Sequence, residues 1–319
     1  MQILFVTATR IGDAVLSTGL LSHLLERHPG ARLTIAAGPA AAPLFEAVPR
    51  LERCIVVEKQ RWSLHWLSLF VRACGRRWDL VVDLRGSALA WILRTGERRV
   101  MAKGNAWEHR VRQLGRLFEL DPPPAPVLWT APRHERAAEA LLPGGAPVLA
   151  IGPAANWRGK QWHAARFAEL SRRLTAPDGP LPGARIAVLA AAHEREQAAP
   201  LLAAVAPGRA IDLVGGTDLL TAAAVLRRCA LFVGNDTGLM HIAAASGTPT
   251  LGLFGPSPVE QYAPWGRCTE AVRTTVPNEM MFGPGFDPLT TDTLMDSLSV
   301  EMAEAAAWRL WRRAASEAA

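Results

Sequence analysis

The sequence predicts an α/β protein made of two doubly wound parallel sheets in tandem, and three observations carry that prediction. Short apolar runs alternate with helix-length segments along nearly the whole chain, the pattern of a parallel sheet wound with helices on both faces. The alternation is interrupted by the proline-rich stretch Asp121-Pro122-Pro123-Pro124-Ala125-Pro126 and the breaker Pro143-Gly144-Gly145, after which it starts again. The length, 319 residues of which 50% are hydrophobic, suits two domains with a core each. The boundary is placed at about residue 145, giving domains 1–145 and 146–319.

Taken in order, the first half opens on an apolar run from Ile3 to Val6. Strands are expected near 2–8, 32–37, 54–57 and 80–84, separated by helices near 14–27, 40–47 and 62–76. After the proline stretch a helical segment runs over 134–142. The second half repeats the scheme: strand 148–151, helix 163–174, strand 185–190, helix 194–204, strand 210–213 and helix 217–228. It closes on ALFVGNDTGLMHIAAASGTPTLGLFG, residues 230–255, which reads as strand, turn, helix, strand. A last helix is expected over about 293–314, its end carrying Trp308, Leu310 and Trp311 with Arg309, Arg312 and Arg313. Ligands of wound sheets bind beyond the carboxyl ends of the strands, so the turns there are where function is sought.

Charge and composition narrow the classes of partner. Lys plus Arg number 35 against 29 Asp plus Glu and the pI is near 9.7, which favours an acidic partner such as a nucleotide, a phosphorylated saccharide or an anionic membrane surface. Nucleic acid is not implied. Cys54, Cys74, Cys229 and Cys268 are scattered without a CxxC or His-Cys cluster, so reduced thiols of a cytoplasmic protein are expected, and no zinc or other metal site. Arg10 and Asp13 break the opening apolar run, which is unlike a signal peptide, and no run approaches the ~20 apolar residues of a membrane span.

Four turns carry polar groups at the expected edges. In RIGDAVLST, Asp13 can serve as a helix-capping carboxylate or as a general base, and Gly12 beside it lets a substrate approach the backbone. In WDLVVDLRG, Asp83 is expected to satisfy loop N–H groups, while Arg85 suits an anionic acceptor. Eight cations follow from Arg85 to Arg116 (Arg85, Arg94, Arg98, Arg99, Lys103, Arg110, Arg112, Arg116), interleaved with Trp91 and Trp107. In GPAANWRGKQW, Lys160 and Asn156 precede a helix and suit a diphosphate. In the 230–255 unit, Asp236 and Thr237 fall where a helix needs a cap, between Gly234 and Gly238, and His241 lies in the first turns of that helix.

These motifs, in this order and at these separations, resemble glycosyltransferase family 9, the ADP-heptose:lipopolysaccharide heptosyltransferases, over residues 2 to about 266. The resemblance implies a GT-B fold, two Rossmann-like domains facing a central cleft, with acceptor on the first domain (Gly12, Arg85) and nucleotide sugar on the second. It implies Asp13 as base and Lys160 on the donor phosphates, with Asn156 nearby. Asp236, Thr237, Gly238 and His241 would hold the donor sugar and diphosphate, and Glu194, with Glu196 as a substitute, the ribose hydroxyls. In GT-B proteins the last helix crosses back onto the first domain; a second reading rests its basic, aromatic end on the anionic inner membrane. The chain departs from the family pattern at Gly19, where a proline is usual, at Arg85, where a glutamine is common, and at Ala155-Asn156, where hydroxyl residues are frequent.

The expected function is inverting transfer of heptose from ADP-heptose to a lipid-linked, anionic Kdo or heptose acceptor of the lipopolysaccharide inner core. The site would lie in the cytoplasm or on the cytoplasmic face of the inner membrane. Electrostatic stabilisation of the leaving diphosphate by Lys160 and a helix N-terminus requires no cofactor or metal. A nicotinamide oxidoreductase lacks its GxGxxG here. A GT-B epimerase would turn over without acceptor, and a non-catalytic nucleotide or glycan binder would have no need of Asp13 together with Lys160 and Asp236.

Overall fold

The computed structural model describes residues 1–102, 105, 107–283 and 286–318, so Lys103 of the basic run lies outside the described residues. The chain divides into two compact units, Met1–Ala131 and Pro132–Ala319.

In the first unit β1 (Gln2–Val6) leads into α1 (Ile11–Arg27), followed by β2 (Arg32–Ala37), β3 (Leu51–Val56), α2 (Leu64–Ala73), β4 (Trp78–Asp83), the single turn α3 (Leu89–Ile92), β5 (Thr95–Val100) and α4 (Arg110–Arg116). The sheet among the described residues is parallel, in the order β3-β2-β1-β4-β5. Ile3, Leu4, Phe5 and Val6 are fully buried because β1 is covered on both faces, which is why the run reads as continuous rather than alternating. One face is filled by α2 and α3, whose Leu69, Ala73, Leu89 and Ala90, with Leu93 just beyond, share a core cluster with Leu4, Ile55 and Val81. Gly19 packs α1 so tightly on the proline stretch that a Cβ there would lie 2.3 Å from the Pro124 carbonyl oxygen, so this position excludes any side chain.

The second unit runs α5 (Pro132–Leu141), β6 (Val148–Gly152), α6 (Ala164–Leu174), β7 (Arg185–Val188), α7 (Arg195–Ala204), β8 (Ala210–Asp212), α8 (Leu219–Arg227), β9 (Leu231–Asn235), α9 (Gly238–Ala245), β10 (Thr250–Phe254), the turn α10 (Val259–Tyr262), β11 (Thr269–Arg273), the turn α11 (Asn278–Met281) and α12 (Val300–Ala318). Its parallel sheet has the order β11-β10-β9-β6-β7-β8. In both units the strand order reverses direction beside the first strand, between β1 and β4 and between β6 and β9. Those are the switch points at which wound sheets bind ligands.

Several expectations are revised. The division falls before α5 rather than near residue 145, because α5 packs on α8, with Ala138 buried and Glu135 paired to Arg227 at 2.8 Å. The helix expected over 40–47 is a single tight turn, Ala42–Phe45, that buries Leu44 and Phe45. The edge strands β5 and β11 carry exposed or half-buried charge (Glu97, Arg98 and Arg99; Glu270 and Arg273) and therefore show no apolar run.

The last helix begins at Val300, not 293, with the hydroxyl of Ser299 accepting from the Met302 N–H at 3.3 Å as its cap. Its apolar face belongs to the core of the second unit. Ala303, Ala306, Ala307 and Leu310 are fully buried in the core of the second unit, against α6, β10 and β11. Its cations are engaged as well, Arg309 and Arg313 both pairing with Glu270.

Candidate functional site

At the switch point of the second unit, two loops far apart in sequence are brought into contact. β6 ends at Gly152 and its loop climbs through Asn156 to a tight turn holding Lys160. β9 ends at Asn235 and passes through Asp236 into α9. Lys160 Nζ donates to Asp236 Oδ2 at 2.6 Å, and Asp236 is only 8% exposed. A cation that is three-quarters buried beside a buried carboxylate is held in a fixed place, and charge-assisted bonds of this kind are the strong ones.

Asn235, which the sequence reading passed over, is the residue that locks this arrangement. It is fully buried, donating through Nδ2 to the Pro153 carbonyl at 2.7 Å and accepting at Oδ1 from the Trp162 N–H at 3.1 Å. Both partners lie on the Lys160 loop. The signal was present in the sequence, since an Asn at the end of a buried strand must find partners.

Asp236 is followed by Thr237, which stands in extended conformation as the N-cap of α9, and its side chain makes no capping bond. The start of α9 thus lacks a side-chain cap and follows directly on the aspartate that holds the lysine, a site suited to phosphate oxygens. Gly238 begins the helix, and His241 is buried one turn on, its N–H donating to the Thr237 carbonyl at 3.5 Å. α9 lies close on β9 and β10: a Cβ on Gly252 would fall 2.5 Å from the Met240 sulfur.

The remaining donor candidates are placed less uniformly. Asn156 is exposed on the loop that carries Lys160. Glu194 is half-buried after β7, with Oε2 accepting from the Ala191 N–H at 2.9 Å, so one of its oxygens is engaged in shaping its own turn. Glu196 is exposed one residue into α7. Gln197, also unforeseen, accepts from the Ala155 N–H at 3.0 Å and fixes the base of the lysine loop.

The segment before α12 straps the same loop from outside. Thr293 donates to the Gln161 carbonyl at 2.5 Å, the Leu294 N–H to the Gly159 carbonyl at 3.0 Å, and Trp157 Nε1 to the Pro288 carbonyl at 2.8 Å. Arg158 pairs with Asp292 at 2.8 Å, and that guanidinium, with the Thr293 N–H, lowers the Asp292 carboxyl below its usual range. These contacts are why residues 293–298 are not helical.

The first unit presents different groups at its own switch point. α1 starts at Ile11 with Arg10 as its N-cap, so Gly12 and Asp13 are the second and third helical residues and Asp13 is half-buried in the first turn, rather than capping it. An acidic side chain in this first turn complements the helix dipole. Val6 of β1 is in register with Asp83 of β4, which sets the two turns side by side on one edge.

Asp83 is fully buried and serves its own loop, accepting from the Arg85 N–H at 2.8 Å, the Ser87 N–H at 2.9 Å and the Ser87 hydroxyl at 2.5 Å. The half-buried Arg85 guanidinium stacks on Trp66 of α2, 4.5 Å from the ring centroid. Burial lowers it from its ordinary value, opposed by Asp83, and it remains a cation.

Among the described residues no group of three or more His, Cys, Asp or Glu is placed to hold a metal ion. The cysteines form no disulfide, and burial pushes the Cys229 thiol up to about 12.

Comparison with known proteins gives a consistent answer. A family model described as Glycosyltransferase family 9 (heptosyltransferase) matches residues 112–283. Lipopolysaccharide heptosyltransferase 2 of Salmonella typhimurium is 24% identical, with 86% of this chain and 88% of that protein covered. Lipopolysaccharide heptosyltransferase 1 of Pseudomonas aeruginosa is 28% identical over 81% of this chain and 79% of its own. An Escherichia coli heptosyltransferase solved with ADP superimposes with a TM-score of 0.72 at 18% identity, covering 97% of this chain and 100% of that one. The fold is that of the GT-B glycosyltransferases.

Proposed function

Because the chain belongs to glycosyltransferase family 9, we propose that it is an inverting heptosyltransferase, moving heptose from ADP-heptose to a lipid-linked acceptor of the lipopolysaccharide inner core at the cytoplasmic face of the inner membrane. The observation that carries the proposal is the Lys160–Asp236 contact at 2.6 Å beside the uncapped start of α9, an anion site built from the two most family-like motifs. The relatives named above are heptosyltransferases, and one was solved with ADP, which supports an ADP-linked donor.

In this reading Lys160 is a point charge on the donor diphosphate, and the N–H groups of Gly238 and its successors donate to the remaining oxygens. Asp236, Thr237 and His241 border the donor sugar, while Asn156 and the second oxygen of Glu194 reach toward the diphosphate and the ribose. As the anomeric C–O bond lengthens, negative charge grows on the leaving ADP. Groups already oriented toward that charge lower the barrier without reorganising. Asp13 takes the proton of the acceptor hydroxyl as that oxygen attacks the anomeric carbon from the opposite face, so configuration inverts. Gly12 leaves room for the acceptor, and Arg85, held by Trp66, binds its anionic group.

Calorimetric titration with ADP-heptose, ADP and UDP-sugars, in the native protein and in Lys160→Ala, tests the donor half. The expected result is binding of ADP-heptose that the substitution abolishes or weakens greatly. Preference for a UDP-sugar would keep the fold and refute the donor, and turnover of the nucleotide sugar without acceptor would make the protein an epimerase.

A further inference from the structure

We propose that the outward side of α2 and the turn before it, centred on Trp62, Leu64, Leu67 and Val71, docks this protein on the surface of an anionic phospholipid bilayer.

The reasoning begins with the helix itself. α2 is apolar on two sides. Leu69 and Ala73 face the core, and Leu64, Leu67 and Val71, spaced at one helical stripe, face outward with exposures of 50%, 59% and 66%. Trp62, just ahead of them, is 91% exposed. The neighbouring helical turn α3 shares the core cluster of α2 and adds Trp91 and Ile92, 64% and 61% exposed, on the same face of the sheet. A group of large apolar side chains in one helix layer, none of it explained by the core, marks a binding surface.

The backbone points the same way. Trp62 and Ser63 both adopt the left-handed conformation, each at φ 57°, which is unfavourable for residues other than glycine and is kept where something over-determines it. The tryptophan in this turn is the one that is 91% exposed.

Charge identifies the partner. Residues 57–77 contain Lys59, Arg61, Arg72, Arg76 and Arg77 against the single acid Glu58, all six are exposed, and of the five cations Arg76 pairs with Glu52 at 2.9 Å. The bias extends to the whole unit: residues 1–131 hold 18 Lys and Arg against 11 Asp and Glu, residues 132–319 hold 17 against 18. An exposed apolar stripe with an interfacial tryptophan and a cationic border is the signature of a helix lying at the headgroup level of an anionic membrane.

This surface differs from the end of α12, where Arg309 and Arg313 are already paired with Glu270 and Trp311 packs against the core. It also lies at the carboxyl edge of the first sheet, since α2 follows directly from the turn beyond β3, and its Trp66 carries Arg85. A docked α2 would bring that edge to the bilayer. The inference stands on the surface alone and does not depend on the donor or the acceptor.

Co-sedimentation of the full chain with vesicles tests it, using phosphatidylcholine alone and an equimolar mixture of phosphatidylcholine and phosphatidylglycerol. The expected result is binding to the mixed vesicles, with a roughly tenfold or larger drop in partition for Trp62→Ser/Leu67→Ser and about a fivefold drop for each of Lys59→Glu and Arg61→Glu. Trp308→Ser/Arg312→Glu is expected to bind like the native chain. The side chains changed around α2 are exposed, so unchanged thermal unfolding and ADP-heptose binding separate a docking defect from a folding or donor defect.

Three outcomes would overturn the proposal. The native chain could stay in the supernatant with the mixed vesicles. The Trp62→Ser/Leu67→Ser chain could sediment as well as the native one, or the α12 variant could be the one that fails. Sedimentation velocity without lipid adds an arm: a native dimer that the Trp62→Ser/Leu67→Ser change converts to monomer would assign the face to a second copy instead.

Discussion

At the switch point of the second unit the two loops are joined by side chains reaching across more than seventy residues of sequence, Lys160 to Asp236 and Asn235 to Pro153 and Trp162, and a third segment straps them from outside. At the same point of the first unit the polar groups bond near themselves, Asp83 to Arg85 and Ser87, while Asp13 stands in the opening turn of its helix. One winding scheme has thus been finished in two ways. The cross-linked edge suits a small, highly charged ligand whose charge changes during reaction, because fixed dipoles stabilise such a charge without moving. The first unit instead carries the excess positive charge and the exposed aromatic surface, which suits a larger anionic partner approached from solution or from a membrane.

The largest effect expected from this division is on rate. Asp13→Ala should lower kcat by ~10²–10⁴, the usual contribution of a positioned base, while calorimetry shows ADP-heptose binding as in the native chain. Retained activity would break the comparison at once, since the first unit would then supply no chemistry. Next comes Lys160→Ala, which removes a charge-assisted bond worth about 1.5–3 kcal/mol, so donor affinity should fall roughly ten- to a hundredfold. The same substitution strips Asp236 of its cation, and Lys160→Ala/Asp236→Asn should restore stability without restoring affinity.

A third test sharpens the contrast between long-range and local bonding. Asn235→Ala leaves the Pro153 carbonyl and the Trp162 N–H buried without their partner and should destabilise the protein by about 2–4 kcal/mol, read as a lower denaturant midpoint at unchanged slope. Because Asn235 also fixes the Lys160 loop, donor affinity should fall with it. Asp83→Asn, at a side chain that bonds Arg85 and Ser87 of its own loop, should leave donor binding untouched and alter acceptor KM through Arg85. If both variants changed donor binding alike, the two edges would not be separable.

How much of this was legible from residues alone follows the same line. Buried parallel strands announce themselves as unbroken apolar runs, so β1, β4, β6, β9 and β10 stand out in the sequence, and so do the turns after them. The edge strands β5 and β11 do not, because a strand with one open side carries charge in place of the run. Lys160 and Asp236 were legible as separate candidates, but that one would grip the other depends on the register of β6 against β9, which no local pattern encodes. Within the strap, residues 293–298 read from the sequence as the start of the last helix. Tertiary bonds to the Gln161 and Gly159 carbonyls overrode that propensity.

The smallest expected effect concerns how α12 is held to the second unit. Arg173 of α6 bonds Glu169 on its own helix and reaches Glu301 and Glu304 of α12, at 2.7, 3.0 and 2.9 Å. Hydrogen bonds from Arg172 and Arg173 hold the Glu169 carboxyl down at about 2, against an ordinary 4.5. A carboxylate whose folded value lies below its unfolded one stabilises the fold fully above the unfolded value, and that stabilisation is lost as pH falls toward the folded one. The clasp should therefore be at full strength above pH 4.5 and weaken between 4.5 and about 2. Its groups are exposed or only half-buried, so the change should be small and further reduced by salt. Hydrogen exchange along α12 should rise in that window in the native chain and be raised already at neutral pH in Arg173→Ala. If exchange in α12 were the same in both proteins at every pH, the helix would be held by Ala303, Ala306, Ala307 and Leu310 alone, and the second unit's bonding would be confined to its switch point.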